Sequence, residues 1–217
     1  MRKIFSFFLF LMTALAAETP SALSSDPRGW KDILPPVSLK GWVRVPIPAG
    51  KPLSEVLQWK VDPVKRVLIC EGTGGHECLR YTRAARNAVF HVEWKYAISE
   101  GPKNYNSGIF IRNSADGRIW HQGQIGSESG GYIFGNTLIG GVGTRFNLMN
   151  QLTKQRVKAA GEWNVTELSA VGRRISFWVN GGVMSVYESC DVPSGFVGLE
   201  AEGYRIEFRN LKLKMLP

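Results

Sequence analysis

The stretch RISFWVNGGVMSVYE, Arg174 to Glu188, sets two runs of β-branched, aromatic and aliphatic residues on either side of Asn180-Gly181. Asn-Gly supplies the two positive φ angles of a tight hairpin turn, so the stretch predicts two antiparallel strands, RISFWV and VMSVYE. Period-two alternation recurs elsewhere. From Ala88 to Tyr96 the even positions Ala88, Phe90, Val92, Trp94 and Tyr96 make an apolar face, while His91, Glu93 and Lys95 point the other way. Helical periodicity is nearly absent, and many short strands separated by turn signals predict an all-β fold, a two-sheet antiparallel sandwich or jelly roll.

Further strands are expected near Leu57 to Lys60, Arg66 to Glu71, Gly108 to Arg112, Ile119 to Ile125, Trp163 to Val171, Gly195 to Ala201 and Tyr204 to Lys214. In the last, the apolar phase passes from Ile206 and Phe208 to Leu211 and Leu213, which implies a bulge near Arg209 and Asn210. Residues 139–161 break the pattern and read either as a surface excursion with a short helix or as a loop over a site.

Arg2 and Lys3 precede an apolar run from Ile4 to Leu15 that ends in the small residues of Ala14-Leu15-Ala16. Residues 1–17 therefore read as a signal peptide, with export to the periplasm or the exterior; no later stretch has the length of a membrane span. Residues 18–28, rich in Ser and Pro, read as a flexible leader, and residues 29–217 as one sandwich domain. The formal charge of +9 falls to about +7 once Arg2 and Lys3 are gone. The cations are scattered among acids, and the tightest clusters, Arg80 to Arg86 and Lys154 to Lys158, lack interleaved aromatics apart from Tyr81, so a solvated basic surface is expected and nucleic acid is not. Cys70 and Cys78 flank a Gly-rich turn that would close a hairpin, and export permits a disulfide between them with Cys190 left free. No metal-binding CxxC occurs.

Candidate site residues gather in the middle of the chain. In NYNSGIFIR, Asn104 to Arg112, Asn106 enters a strand whose Gly108, Phe110 and Arg112 share one face, and Gly108 leaves room for close approach. Arg112 offers a planar fork of donors for sugar hydroxyls, a ketone or an enolate, although an Arg on a strand is more often solvated or paired. In the next strand Trp120, Gln122 and Gln124 alternate on one face: a ring for the C–H face of a sugar and amides for its hydroxyls, against the plainer reading of a core Trp and strand filler. His121 points away from them by parity unless a bulge intervenes at Gly123. Glu128, in the loop GSESGG before Tyr132, is a candidate acid or base, as is Glu93 on the polar face of its strand. Trp120, Gln122, Gln124 and Arg112 are expected to line one concave sheet face.

Taken in order, NYNSGIFIR, GEWN (Gly161 to Asn164), the turn VNGG (Val179 to Gly182) and the closing strand IEFRNLKL (Ile206 to Leu213) resemble the 3-keto-disaccharide hydrolase domain family, over roughly Gly29 to Leu216. The resemblance implies a concanavalin A-like sandwich, mostly of secreted bacterial proteins, acting on an oligosaccharide or glycoside oxidised to a ketone at C3. It sets Asn106 on the family's NSG motif, Arg112 on an Arg four residues after the Gly, Glu93 on a strand Glu, and Gln124 on the Gln of an E-x-Q pattern in which this chain has Gln122 for the Glu. Glu128 or Glu93 is then the base, Arg112 the enolate stabiliser, and Asn106, Trp120, Gln122, Gln124, His121 and Tyr132 the sugar contacts. No cofactor is required by this chemistry; a divalent metal could replace Arg112, but the spacing of His and carboxylates establishes none. The rival from the same faces is a lectin-like binding module without turnover. Oligomeric state is not legible.

Overall fold

The structure, a computed structural model, describes residues 18–101, 104–126 and 130–217. Residues 1–17, the expected signal peptide, and Glu128 lie outside them. In chain order come a short helix α1 (Ala22–Ser25) and strands β1 (Trp30–Asp32), β2 (Trp42–Pro46), β3 (Trp59–Asp62), β4 (Val67–Cys70), β5 (Glu77–Tyr81), β6 (Asn87–Tyr96), β7 (Gly108–Asn113) and β8 (Trp120–Gln124). Then follow β9 (Ile133–Ile139), β10 (Val142–Asn147), a 3-10 turn at Met149–Gln151, β11 (Asn164–Val171), β12 (Arg174–Val179), β13 (Gly182–Tyr187), β14 (Phe196–Ala201) and β15 (Ile206–Leu216).

The strands form two antiparallel sheets, as the alternation predicts. Sheet A runs β13-β12-β11-β6-β15-β4-β3 with β1 added along β15, and sheet B runs β10-β9-β8-β7-β14-β5-β2. The Asn180-Gly181 hairpin is present, with φ of 39° and 92° at its two turn residues. The even face of β6 is core: Ala88, Phe90, Val92, Trp94 and Tyr96 are all at most 2 % exposed. They meet Leu168, Ile175, Phe177 and Phe208 of their own sheet and Ile109, Ile111 and Leu199 of the other in one apolar layer. The register of β15 slips between Arg209 and Lys212, with Asn210 at a φ of 51°, so the expected bulge is there. Segment 139–161 begins at the end of β9, turns at Gly140-Gly141 into β10, and continues through the 3-10 turn.

Two expectations are corrected. Cys70 and Cys78 are not bonded, and all three cysteines are free and buried. The glycines between them do not close a hairpin: β4 pairs with β3 and β15 in sheet A, whereas β5 pairs with β2 and β14 in sheet B. Cys70 therefore belongs to the core layer and Cys78 to the outer side of sheet B, beside Gly198. Burial pushes the Cys70 thiol up to about 12, far from a thiolate.

Nor is the segment 18–28 a loose leader. It lies across the outer face of sheet A, where the amides of Ala22 and Leu23 donate to the Glu167 carboxylate at 2.6 and 2.9 Å and Trp178 donates its indole N–H to the Thr19 carbonyl. Beneath the strap, Glu167 Oε1 lies 2.9 Å from His91 Nδ1. Burial alone would raise the Glu167 carboxyl and lower the imidazole. Their mutual hydrogen bond, helped for Glu167 by the two strap amides and for His91 by Glu93, reverses both shifts, leaving Glu167 below its ordinary 4.5 and His91 above its ordinary 6.5.

Removing one partner of a buried charged pair costs about 3 to 5 kcal/mol, so Glu167→Ala should lower unfolding stability in urea by an amount of that order. Tryptic cleavage after Arg28 should become faster. The Glu167 contribution is present above its unfolded value and lost as pH falls through the lowered folded value; that of His91 is present below 6.5 and lost as pH rises through the raised one. The penalty of Glu167→Ala should accordingly be largest between pH 4.5 and 6.5.

Candidate functional site

A groove of about 770 Å³ lies on the outer face of sheet B, within the range of small-ligand sites. Its floor follows from alternation in β8. His121 and Gly123 face the core, so Trp120, Gln122 and Gln124 face out. Strand pairing sets their neighbours: Trp120 stands opposite Asn136, Gln122 opposite Phe134 and Phe110, and Gln124 opposite Gly108. In β14, Val197, Leu199 and Ala201 are buried in the core, which sends Gly198 and Glu200 outward.

Gly108 does leave room, but for a side chain of the protein itself. A Cβ there would fall 2.1 Å from Gln122 Nε2. Through this gap Gln122 Nε2 donates to Glu200 Oε2 at 2.7 Å and to Gln124 Oε1 at 3.1 Å, and Gln124 Nε2 donates in turn to Asn106 Oδ1. The Gln that stands where the family pattern has Glu is thus the donor that satisfies Glu200; a carboxylate there would face a second carboxylate across 2.7 Å.

Glu200 has a second partner. Its Oε1 lies 2.8 Å from His76 Nε2, and Glu202 Oε2 lies 3.9 Å from the same nitrogen. One donor atom from each of His76, Glu200 and Glu202 lies within 4.8 Å of the others, and all three residues line the groove. Burial opposes the charge on His76, but the hydrogen bond and charge of Glu200 outweigh it and raise the imidazole above 6.5. Burial first, and then the charge of Glu200, raises the Glu202 carboxyl above 4.5. The arrangement joins a group that tends to carry positive charge to a carboxyl that holds its proton more readily than an exposed one.

The structure brings Asn106, Trp120, Gln122, Gln124 and Tyr132 together along the groove. Trp120 is not a bare platform: the Arg145 guanidinium lies 4.7 Å over its ring, and Phe110 and Phe134 meet it edge-on. Three other candidates lie elsewhere. Arg112 has a φ of 53°, which breaks the alternation of β7 and turns its side chain away from the face of Phe110. It is 1 % exposed, donating to the carbonyls of Arg86 at 3.0 Å and Gly172 at 2.7 Å. It ties the end of sheet B to the β11–β12 turn of sheet A. Glu93 is on the outer face of sheet A, where His91, Asn210 and Arg209 hold its carboxyl down at about 2. His121 is buried between the sheets, bonded to Thr137 Oγ1 at 2.9 Å, and burial lowers its imidazole to about 4. Gly123 makes no bulge that would turn it outward.

Sequence reading counts His76 among the candidates without giving it a role, and passes over Glu200, Glu202 and Arg145. Alternation of Val197, Leu199 and Ala201 does mark Glu200 as outward-facing. What it cannot give is the pairing of β14 with β7, nor the loop that returns His76 to the same place.

A model of the 3-keto-alpha-glucoside-1,2-lyase-like domain matches residues 29–214. No curated protein matches the chain. Among solved structures, a putative glycosyl hydrolase from Parabacteroides distasonis is 14 % identical with a TM-score of 0.61, over 93 % of this chain and 100 % of that one. The carbohydrate-binding module CBM66 from Bacillus subtilis is 10 % identical with a TM-score of 0.58, over 80 % and 95 %. A Bacillus licheniformis β-glucanase is 12 % identical with a TM-score of 0.52, over 82 % and 94 %. At these identities the likeness is one of fold, the jelly-roll sandwich.

Arg112→Ala should act on stability and not on the groove. It strands buried carbonyl acceptors, at about 1 to 3 kcal/mol for each group left unsatisfied, and Arg112→Lys should rescue little because one ammonium cannot span both carbonyls. Urea unfolding measures the loss; ligand affinity of the folded fraction should stay at the wild-type value. A large fall in affinity with unchanged stability would return Arg112 to the site.

Proposed function

Because the chain belongs to the 3-keto-alpha-glucoside-1,2-lyase-like domain family, and so to the carbohydrate-active proteins, we propose that it cleaves 3-ketoglycosides by elimination and hydration. One observation carries this reading: His76, Glu200 and Glu202 converge within 4.8 Å in a groove whose lining also includes the amides of Asn106, Gln122 and Gln124 and the rings of Trp120 and Tyr132. The C3 ketone acidifies the C2 proton and leaves the glycosidic oxygen on C1 in the β position. Glu202 takes the C2 proton, and the electron pair moves onto the ketone oxygen as an enolate. The His76 imidazolium, held by Glu200, stabilises that charge. Collapse of the enolate forms the C1–C2 double bond and breaks the C1–O bond, and the departing alkoxide takes a proton from the acid form of Glu202. Addition of water across the double bond completes a net hydrolysis. Paired carboxylates at glycosidase spacing are not needed. Gln122 and Gln124, with Asn106, offer donors and acceptors to sugar hydroxyls. His76 and Glu202 take the roles first given to Arg112 and to Glu93 or Glu128.

The same three side chains fit a divalent cation. One imidazole nitrogen and two carboxylates form a donor set suited to manganese, cobalt or zinc, and Gln122 orients Glu200 from behind. His76, Glu200 and Glu202 would be its ligands, and when bound it would supply Lewis-acid polarisation of the ketone. Calorimetric titration with manganese or zinc should show one site in the wild type and none in Glu200→Gln/Glu202→Gln. Binding that survives the double substitution would rule out this ligand set.

Residues 1–17 are part of the same reading, as the signal for export, and no helix among the described residues is long and apolar enough to cross a membrane. Fractionation of cells expressing the full chain tests it; protein retaining residues 1–17 in the cytoplasm would contradict it.

Purified protein should consume 3-keto-trehalose and leave trehalose untouched, with C2 deuterium incorporation or a 1,2-unsaturated product visible by NMR. Glu202→Gln should lower turnover by about two to four orders of magnitude, the range for loss of a general base. With Glu202 acting ionised and His76 protonated, kcat/KM should follow a bell. Its acid limb should lie above pH 4.5 and its alkaline limb above pH 6.5. Binding of both sugars without product would support the lectin-like alternative, and cleavage of unoxidised trehalose would overturn the elimination route.

A further inference from the structure

The groove has two ends of opposite charge. Register puts Arg145 of β10 opposite Asn136 of β9, and Asn136 opposite Trp120 of β8, so these side chains share one level of the sheet face. Gln124, beside the His76 cluster, lies four residues further along β8, or about 13 Å at the rise of a strand. At the Trp120 end the groove is lined by Arg80, Arg118 and Arg145; at the other, by two carboxylates and one imidazole.

The arginines are not equally free. Arg80 donates to the Ala115 carbonyl and lies 4.2 Å over the Phe196 ring. Arg118 is 3.5 Å from Asp116, a pair whose side chains are 76 % and 56 % exposed and so weakly bound. Asp116 already accepts from the Ser114 hydroxyl and the Arg118 amide. Arg145 makes no ion pair with any described residue; what holds it is the Trp120 ring beneath its guanidinium. Stacking leaves the guanidinium edge, with its fork of N–H donors, open to a ligand. Among the described residues, three guanidinium groups against a single occupied carboxylate, one of them fixed over an aromatic ring with its donors unspent, form a receptor for a planar or tetrahedral oxyanion.

The geometry points to an acidic substrate: a glycoside whose second residue, remote from the bond cleaved at His76 and Glu202, carries an anionic group that Arg145 and Arg118 bind. This assignment rests on the carbohydrate reading above and adds the charge class of the sugar. Trp120 then seats the arginine, and sugar stacking falls to other parts of the groove.

Three ligands on one skeleton test it: trehalose, trehalose 6-phosphate, and trehalose oxidised at one C6 to the uronic acid, titrated calorimetrically at low and at physiological salt. At least one charged form should bind about tenfold tighter than trehalose or better, the worth of one charge-assisted hydrogen bond, with the advantage shrinking as salt rises. The phosphate and carboxylate arms identify the oxyanion. Arg118→Ala/Arg145→Ala should make charged and neutral forms bind alike, while Arg145→Lys should keep part of the preference. Equal affinities in the wild type, no measurable binding of any of the three, or a preference that survives the double substitution would overturn the proposal. Turnover of 3-keto-trehalose is scored separately: its absence counts against the elimination chemistry, whereas a missing charge preference beside normal turnover counts against the acidic substrate alone.

Discussion

The contact between Phe177 of sheet A and the bare backbone of Gly123 in sheet B governs the geometry of the groove. A Cβ on Gly123 would fall 2.9 Å from the Phe177 ring, so this is a point of close approach between the layers and admits only glycine. Because side chains on a strand alternate, fixing Gly123 inward fixes Trp120, Gln122 and Gln124 outward, and a slip of one residue would send all three amphipathic side chains into the core. The hydrophobic layer thus does more than hold the sandwich closed. It sets which residues a ligand can meet.

On the outer side a second glycine decides what the outward residues do. The gap over Gly108 lets Gln122 cross β7 and reach Glu200 on β14, and Glu200 then holds His76. The Glu200 carboxylate sits between an amide donor and an imidazole, while burial first and then the charge of Glu200 raise the carboxyl of Glu202 nearby. The polar chain Asn106–Gln124–Gln122–Glu200–His76 draws on strands β8 and β14 and two loops, and its links from Gln122 to Glu200 and from Glu200 to His76 join residues far apart in sequence. Such networks are rigid when every member is satisfied.

Arginine appears in two different roles. Arg112, expected to serve a ligand, is consumed by the Arg86 and Gly172 carbonyls at the end of sheet A and acts as a buried tie between the sheets. Arg145, which drew no attention as one cation among many in a basic chain, stands over Trp120 with no acid paired to it among the described residues. The residue type is the same in both cases; the difference is whether the five donors are already spent. The odd-looking Gln122 follows the same logic: in an E-x-Q pattern it reads as a lost acid, yet in place it supplies the donor that a neighbouring acid requires.

The fold was largely legible in the chain. The Asn180-Gly181 turn, the even face of β6 and the phase change before Leu211 each express a local rule, positive φ or period two, and each reappears in the structure where it was read. Half of the groove was legible too, since parity alone puts Trp120, Gln122 and Gln124 on one face. The rest depended on pairings between strands far apart in sequence. Nothing local says that Glu200 lies beside Gly108, that the turn after Cys70 crosses between sheets instead of closing a hairpin, or that the backbone at Arg112 takes a positive φ. Period two fixes the side of a sheet on which a residue lies; only the packed sheets fix which residues lie next to it, because register between distant strands is set by the whole apolar layer at once.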